Sequence, residues 1–235
     1  MVIKMARINK SALTKLEIVQ ESSKQILEKG YTATSITAIS RALGMSPRNL
    51  TFYYPTKEHL LVQLVELMCD FQWKRMEEEA DEGLSSIMAL CLELTSMATA
   101  AEDDPMIRDF FLASYTSPMC LERIRKNDAE RAQKIFADYR PDWTEEQFAE
   151  AEILCFGTEY ATLMASGDPI PLETRIAGAL HNILGIYGIP REIREQKIGK
   201  VFAMDYRNLG KRVLREFRDY VEQANEHALL ELLGH

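Results

Sequence analysis

The stretch SITAISRALGMSPRNLTFY, residues 35–53, is the part of the sequence that decides the fold. It predicts two short helices separated by a tight turn at residues 43–45. Ser46 is placed to cap the second helix, and Pro47 takes its first position, where a missing N–H costs nothing. Pro55 then ends that helix near Tyr53, because the residue before a proline avoids helical geometry. This order of elements is the layout of a helix-turn-helix.

The second helix of a helix-turn-helix enters the DNA major groove, with its N-terminal residues facing the base edges. An arginine such as Arg48 can bind a guanine edge and an asparagine such as Asn49 prefers adenine, whereas Tyr53 and Lys57 are placed to hold phosphates. The residues predicted to contact DNA are Ser35, Thr37, Ser46, Pro47, Arg48, Asn49, Thr51, Phe52, Tyr53 and Lys57. Those predicted to be buried beneath them are Ile36, Ile39, Ala42, Leu43 and Leu50.

Charge is distributed unevenly along the chain. Residues 1–60 balance at +5, whereas the whole chain of 235 residues carries −8. A basic N-terminal part on an acidic remainder indicates that only the first part meets a polyanion. The first fifteen residues hold four basic residues and no acid, which predicts a basic arm that lies along phosphates or enters the minor groove.

The rest of the sequence predicts helices nearly everywhere, with weak strand signals, so the fold class is all-α. A long fourth helix is expected from residue 56 to about 80. Later helices are expected at roughly 85–101, 105–117, 119–138, 145–166, 172–187 and 190–226. The predicted domains are residues 1–56, with the arm and the helix-turn-helix, and residues 57–235.

Other classes of protein find little support in the sequence. No apolar run is long enough for a membrane span, and the N-terminus lacks the apolar region of a signal peptide. The four cysteines are far apart and are interpreted as reduced residues of a cytoplasmic protein. No metal site, cofactor motif or catalytic motif is predicted. One enzyme class stays open, a helical enzyme that uses the thiol of Cys120 or Cys155 with His181.

The segment GYTATSITAISRALGMSPRNLTFYYPTKEHLL, residues 30–61, resembles the DNA-binding segment of the tetracycline-repressor (TetR) family of bacterial transcription regulators. The matching positions include Gly44, Ser46, Leu50, Tyr53 and Lys57. Arg48, Thr51 and Tyr54 depart from the family pattern at reading positions, which should alter the operator sequence and not the fold. The resemblance covers about residues 12–65.

This resemblance implies a homodimeric repressor. An N-terminal three-helix head would bind a palindromic DNA operator, and a larger helical body would dimerise and bind a small-molecule effector. An alternative keeps the DNA-binding head but has the body bind a protein partner.

Two features of the body suit effector binding and dimerisation. Met and aromatic residues that recur at helical spacing suit an adaptable apolar pocket. The candidates for the pocket are Met88, Met97, Phe110, Phe111, Tyr115, Met119, Phe156, Tyr160 and Met164. The helices near 145–166 and 172–187 are predicted to pair with their symmetry mates in a four-helix contact.

Overall fold

The computed structural model describes residues 10–81, 83, 85–165 and 168–233, and these residues form eleven α-helices and no strand. The predicted all-α class is confirmed. Residues 1–9, which hold most of the predicted basic arm, lie outside the described residues. None of the described helices is both long enough and apolar enough to cross a membrane.

Three helices form the N-terminal head: α1 (Lys10–Lys29), α2 (Ile36–Ala42) and α3 (Pro47–Tyr53). Each of the last two begins as the sequence predicts, because the Ser35 and Ser46 side chains accept hydrogen bonds from backbone N–H groups of the first turn. Gly44 forms the turn between them with φ of 65°, a conformation that glycine adopts without steric cost.

The head has a small core of its own. Its fully buried members are Ile18 of α1, Ile39 of α2, Leu50 of α3 and Leu60 from the start of α4. Ile36 and Leu43 are half-buried around them, but Ala42 is exposed, so its predicted burial is wrong. Ala42 is the last residue of a seven-residue helix and lies at the edge of the buried stripe.

Helix α4 (Lys57–Asp81) connects the head to the body. Its first turn contributes Leu60 to the head core, while Met68 and Phe71 belong to a core in the body. Residues 60 and 71 are separated by about 16 Å along a straight helix at 1.5 Å per residue. One continuous helix therefore joins the two parts mechanically.

The body is a helical bundle around α5. Thirteen of the eighteen residues of α5 are buried, and α5 contacts six other helices, so it is the central element. Its helices are α5 (Ser86–Asp103), α6 (Pro105–Thr116), α7 (Pro118–Phe136), α8 (Glu145–Met164), α9 (Leu172–Ile186), α10 (Arg191–Ala203) and α11 (Tyr206–Leu233). Thr144 and Gln147 form a capping box at the start of α8.

The last predicted helix, 190–226, is wrong as a single element. It is interrupted at Met204, whose backbone is extended, and a new helix begins at Tyr206. The Asp205 side chain accepts a hydrogen bond from the Asn208 backbone N–H, which is how an aspartate starts a helix. The break lets α10 pack on α9 and α5, while α11 packs along α5, α1 and α4.

Candidate nucleic-acid interface and internal cavity

Helix α3 presents most of its side chains to solvent. Leu50 alone is fully buried, whereas Pro47, Arg48 and Asn49 are exposed and Phe52 is 80% exposed. A phenylalanine with so little cover contributes nothing to the core of the head. The exposed face therefore carries a guanidinium and an amide at the N-terminal end of α3 and an aromatic ring near its C-terminal end.

The other residues predicted to contact DNA differ in their exposure to solvent. Thr51 is half-buried, and its hydroxyl donates to the Arg48 carbonyl oxygen at 3.1 Å. Tyr53 is half-buried against the head core, with its ring edge-on to Phe52 at 5.3 Å between centroids. On α2 and before it, Ser35 and Thr37 are exposed. All of these side chains lie near the helix-turn-helix, and those of Thr51 and Tyr53 are less exposed than those of Ser35 and Thr37.

Lys57 is the predicted contact whose surroundings differ most from the expectation. Its ammonium donates to the carbonyl oxygens of Tyr31 at 2.8 Å and Thr34 at 3.0 Å, and it lies 4.0 Å from the centre of the Tyr31 ring. Partial burial also lowers the pKa of this ammonium. Lys57 therefore braces the turn between α1 and α2. Two N–H groups of the Lys57 ammonium are thus occupied, and at most the third is left for the phosphate contact predicted from sequence.

The head is also fastened to the body through α6. The Asp109 carboxylate accepts from the backbone N–H and the hydroxyl of Thr32, both at 2.6 Å. Gly30 makes room for this contact, since a Cβ there would lie 2.7 Å from a carboxylate oxygen of Asp109. Gly30 also has a φ of 85°, a left-handed conformation that favours glycine at the end of a helix such as α1. The position of α6 is thus linked directly to the turn before α2.

The body encloses a first cavity, which we call the apolar chamber. It has a volume of about 80 Å³ and lies between α4, α5, α6 and α11. Its walls include Phe71, Leu92, Phe111, Val213 and Phe217. These side chains offer dispersion contacts and almost no hydrogen bonds, so the chamber suits an apolar group.

A second cavity of about 40 Å³, the polar chamber, shares Met68, Gln72, Glu93 and Met97 with the first. Its remaining walls come largely from α7, α8 and α9 and carry ionisable groups. The ionisable residues that line it are Glu93, Tyr115, Asp128, Arg131, Cys155, Glu152, Glu159 and Tyr187. The two chambers together form one cavity with an apolar end and a charged end.

Hydrogen bonds organise the polar chamber. Arg131, only 5% exposed, binds both carboxylate oxygens of Glu93, and one of its nitrogens lies 3.5 Å from Asp128. Tyr187 donates to Glu152, and Tyr115 donates to Glu159 at 2.7 Å. Glu93 and Asp128 are thus paired with a guanidinium, whereas Glu152 and Glu159 accept hydrogen bonds from phenolic hydroxyls.

The carboxyl pKa values in this chamber are raised. Burial is the largest cause, and the nearby Asp128 carboxylate adds to it, so the pKa of Glu152 is raised to about 8. The same causes raise the pKa of Glu159 well above its usual range. Asp128 also loses solvent, but the attraction of Arg131 limits the rise of its pKa to about 6. At neutral pH the carboxyl group of Glu152 is therefore largely protonated, and the pKa of Glu159 is raised in the same direction.

The predicted pocket residues are only partly brought together. Met97, Phe111 and Tyr115 line the chambers. Phe156 stacks on Tyr115 at 5.0 Å and Tyr160 lies beyond it, so both form a second layer. Met88 and Phe110 are buried in the core without lining either chamber, Met119 is half-buried at the start of α7, and Met164 is 51% exposed.

The sequence interpretation missed the charged wall. It selected Met and aromatic residues and passed over acids on the same helices. One signal was available on α8: Glu152 and Glu159 follow Phe148 and Cys155 at the spacing of a single helical face, so acids interrupt an apolar stripe. Arg131 interrupts the apolar face of α7 in the same way, between Ile124 and Ile135.

The thiols do not support an enzyme. All four cysteines are buried, and burial raises the pKa of Cys120 to about 11 and that of Cys155 still further. A catalytic thiol needs the opposite, a lowered pKa in an accessible position. Cys155 has Tyr187 as its hydrogen-bond partner, at 3.8 Å, and no contact with His181 is found among the described residues. These residues also contain no group of acids, cysteines and histidines that could hold a metal ion.

The outer surface of α8 carries exposed large apolar side chains. Ile153 is 51% exposed and Leu154 is 60% exposed. Helix α9 differs from the expectation, because its predicted apolar residues Ile176, Leu180, Ile183, Leu184 and the adjoining Tyr187 are all buried within the protomer. The outward side of α9 instead carries Thr174, Gly178 and Asn182.

Comparison with known proteins identifies the head. Residues 18–64 match the family described as bacterial regulatory proteins, tetR family. No curated protein matches the chain. Among solved structures, the TetR family protein CprB from S. coelicolor A3(2) is 18% identical, with 88% of this chain and 99% of that chain covered and a TM-score of 0.46. A gamma-butyrolactone receptor described as ArpA-like is also 18% identical, with the same coverage and a TM-score of 0.42. The matched segment covers most of α1, all of α2 and α3, and the start of α4, so the head of this chain is similar to the DNA-binding segment of the TetR family of bacterial regulators.

Proposed function

We propose that this regulator is a homodimeric repressor that leaves its operator when a small, largely apolar effector fills the two chambers. The observation that carries the proposal is the placement of α4. Its first turn belongs to the head core, and its Met68, Phe71 and Gln72 line the chambers. A ligand in the body and a DNA duplex at the head would therefore act on the same helix.

On the DNA side, α3 is the reading helix. Arg48 and Asn49 are exposed at its N-terminal end, where side chains of a recognition helix reach base edges. Arginine pairs with guanine and asparagine with adenine, while Pro47 and Phe52 are suited to a thymine methyl. The exposed hydroxyls of Ser35, Thr37 and Ser46 are assigned to phosphates, together with the Tyr53 hydroxyl. The +5 balance of residues 1–60 favours this binding.

On the effector side, the size of the cavity matters. A cavity of about 150 Å³ is needed to hold benzene in a protein core. The apolar chamber, at about 80 Å³, is too small for such a ligand without movement of its walls. Met68 and Met97 lie where the chambers join, and methionine side chains adapt readily. A ligand larger than the apolar chamber would displace α4 and α6. Helix α6 is linked to the head by the hydrogen bond from Thr32 to Asp109. The effector thus favours a conformer that fits DNA less well.

The dimer is assigned to the outer surfaces of α8 and α9. Ile153 and Leu154 form an apolar patch there, and burying it against a symmetry mate would remove it from water. A two-fold axis through this contact would place two heads on one palindromic operator. Residues 1–56 are then the DNA-binding domain and residues 57–235 the effector and dimerisation domain, in a cytoplasmic protein.

Selection of binding sites from random duplex DNA tests the proposal. We expect a palindromic motif, a dimer on the DNA, and an affinity that falls steeply with salt. The purified protein should then be challenged on that motif with small-molecule pools in a gel-shift assay. Failure to select any motif would refute the DNA-reading assignment. Release from the motif by separately added protein fractions, and by no small molecule, would favour the alternative in which the body binds a protein partner.

A further inference from the structure

We propose that the polar chamber recognises a positively charged nitrogen, so that the effector is an organic cation with an apolar body. The inference rests on the proposed function, because it takes the two chambers as the effector site. It adds the chemical class of the ligand and names Glu152 and Glu159 as the residues that recognise its charge.

The first argument is charge. Four carboxyl groups line the polar chamber, and Arg131 is its only cation among the described residues. Arg131 is already engaged by Glu93 and Asp128. Glu152 and Glu159 have no basic partner within hydrogen-bonding range in the part of the chain that the structure describes. No side-chain cation of the described residues therefore neutralises these two carboxyl groups, and a ligand cation could do so.

The second argument is an unused hydrogen-bond acceptor. Glu152 is only 8% exposed, and one of its carboxyl oxygens accepts from Tyr187. Its other oxygen has no partner among the described residues, although Glu152 lines the chamber. This oxygen is not one of the fully buried unpaired atoms of the described residues, so it is accessible and a bound N–H donor could reach it. Glu159 repeats this arrangement two helical turns along α8, where Tyr115 donates to one oxygen and the other has no hydrogen-bond partner among the described residues.

The third argument separates an organic cation from a metal ion. The described residues contain no group of ligands positioned around a metal ion, and Glu152 and Glu159 are two helical turns apart. Calcium, for comparison, needs six to eight oxygens at about 2.3–2.6 Å. Tyr115 and Tyr187 also line the chamber, and stacking of their rings on Phe156 and Phe136 fixes the positions of their hydroxyl groups. The adjoining apolar chamber accepts the carbon body of such a ligand.

Proton exchange gives the proposal a specific signature. The pKa of Glu152 is raised to about 8, so its carboxyl is protonated at pH 7 when the chamber is empty. An ammonium ion, which enters already charged, would favour the ionised carboxylate. Binding of a cation should therefore release protons to the buffer, whereas a neutral ligand of the same shape should release none.

The test uses the purified full-length protein and three probes that differ only in their polar end: 4-phenylbutylamine, 4-phenylbutanol and 4-phenylbutanoate. Calorimetry in two buffers of different ionisation enthalpy gives affinity and the number of protons released. We expect the amine to bind at least tenfold more tightly than the alcohol, with proton release, and the carboxylate to bind more weakly than either.

Variants locate the effect. Glu152→Gln and Glu159→Gln keep the size of the side chain and its acceptor oxygen for tyrosine, so each should fold. Each should lower the amine affinity at least fivefold and leave the alcohol affinity unchanged. Glu130→Gln, an exposed acid on α7, is the matched control and should change neither.

Several results would overturn the proposal: equal or tighter binding of the alcohol or carboxylate, no binding of any probe, or glutamine variants that keep the preference for the amine. Gel shifts on the selected operator separate this failure from that of the proposed function. If the amine binds with proton release but leaves the protein on DNA, effector release is wrong and the cation site stands. If a neutral compound releases the operator, effector release stands and the cation site is wrong.

Discussion

Replacing Glu152 by glutamine should change how the stability of the protein depends on pH. Glu152 is 8% exposed, and its pKa is raised from 4.5 in the unfolded chain to about 8 in the folded protein. Between these values the folded state holds a proton that the unfolded state has lost. The free energy of unfolding must therefore fall as the pH rises through this window, by about 1.4 kcal/mol per pH unit for one proton.

The magnitude follows from the width of the window. A window of roughly 3.5 pH units corresponds to about 4–5 kcal/mol of lost stability when the wild type is taken from pH 4.5 to pH 8. Glutamine mimics the protonated glutamate and does not titrate. We expect Glu152→Gln to be within about 1 kcal/mol of the wild type at pH 5 and to be more stable by at least about 2 kcal/mol at pH 8.5.

Urea denaturation at pH 5, 6, 7, 8 and 8.5, at one protein concentration, measures the difference. Asp128 and Glu159 also have raised pKa values, so the variant should still lose stability with pH, but less steeply. Glu130→Gln should follow the wild type throughout, because Glu130 is exposed. Parallel curves for the wild type and Glu152→Gln would show that the carboxyl titrates as in water and would refute the burial argument.

Three further substitutions test the head and the dimer. Arg48→Ala should cost about 1–3 kcal/mol per half-site and relax the preference at one base pair in a binding selection, whereas an unchanged motif would make Arg48 a phosphate contact. Lys57→Ala should lower the melting temperature and weaken binding to all DNA with an unchanged salt slope, because the ammonium braces two carbonyl groups; a slope reduced by about one per subunit would restore the phosphate role. Leu154→Arg should give a monomer in sedimentation at micromolar concentration, because it places a charge in the exposed patch of α8, while Ile170→Arg in the loop before α9 should remain a dimer.

The head could be predicted almost residue by residue because its signals are local. Ser35 and Ser46 cap the helix that follows each of them, and Gly44 turns the chain between them. Each of these effects depends on neighbours within four residues, which a sequence displays directly. Lys57 shows the limit of this reasoning. Its partners lie 26 and 23 residues earlier, so its role depends on how the chain folds back.

The cavity could not be predicted in the same way, because helical spacing identifies an inward face but not what that face meets. Met88 and Met97 both lie on the central helix α5 and are both buried, yet only Met97 borders the chambers. Packing in a protein interior leaves few gaps, and their positions depend on the shapes of several helices at once. A pattern of Met and aromatic residues therefore predicts burial much better than it predicts a pocket.

The charged wall was missed for a related reason, and that reason strengthens the case that it serves a ligand. Burial of an arginine or an acid can be predicted only if its ion-pair partner is known. Glu93 and Arg131 are 38 residues apart, so the sequence does not show that they pair. A bundle that needed only stability could fill these positions with apolar side chains at equal or lower cost. Arg131 forms ion pairs with Glu93 and Asp128, which explains why these two partly buried residues are acids. Glu152 and Glu159 have no such ion pair among the described residues. Their tyrosine partners orient the carboxyl groups without neutralising them, which suits a site that receives its positive charge from outside.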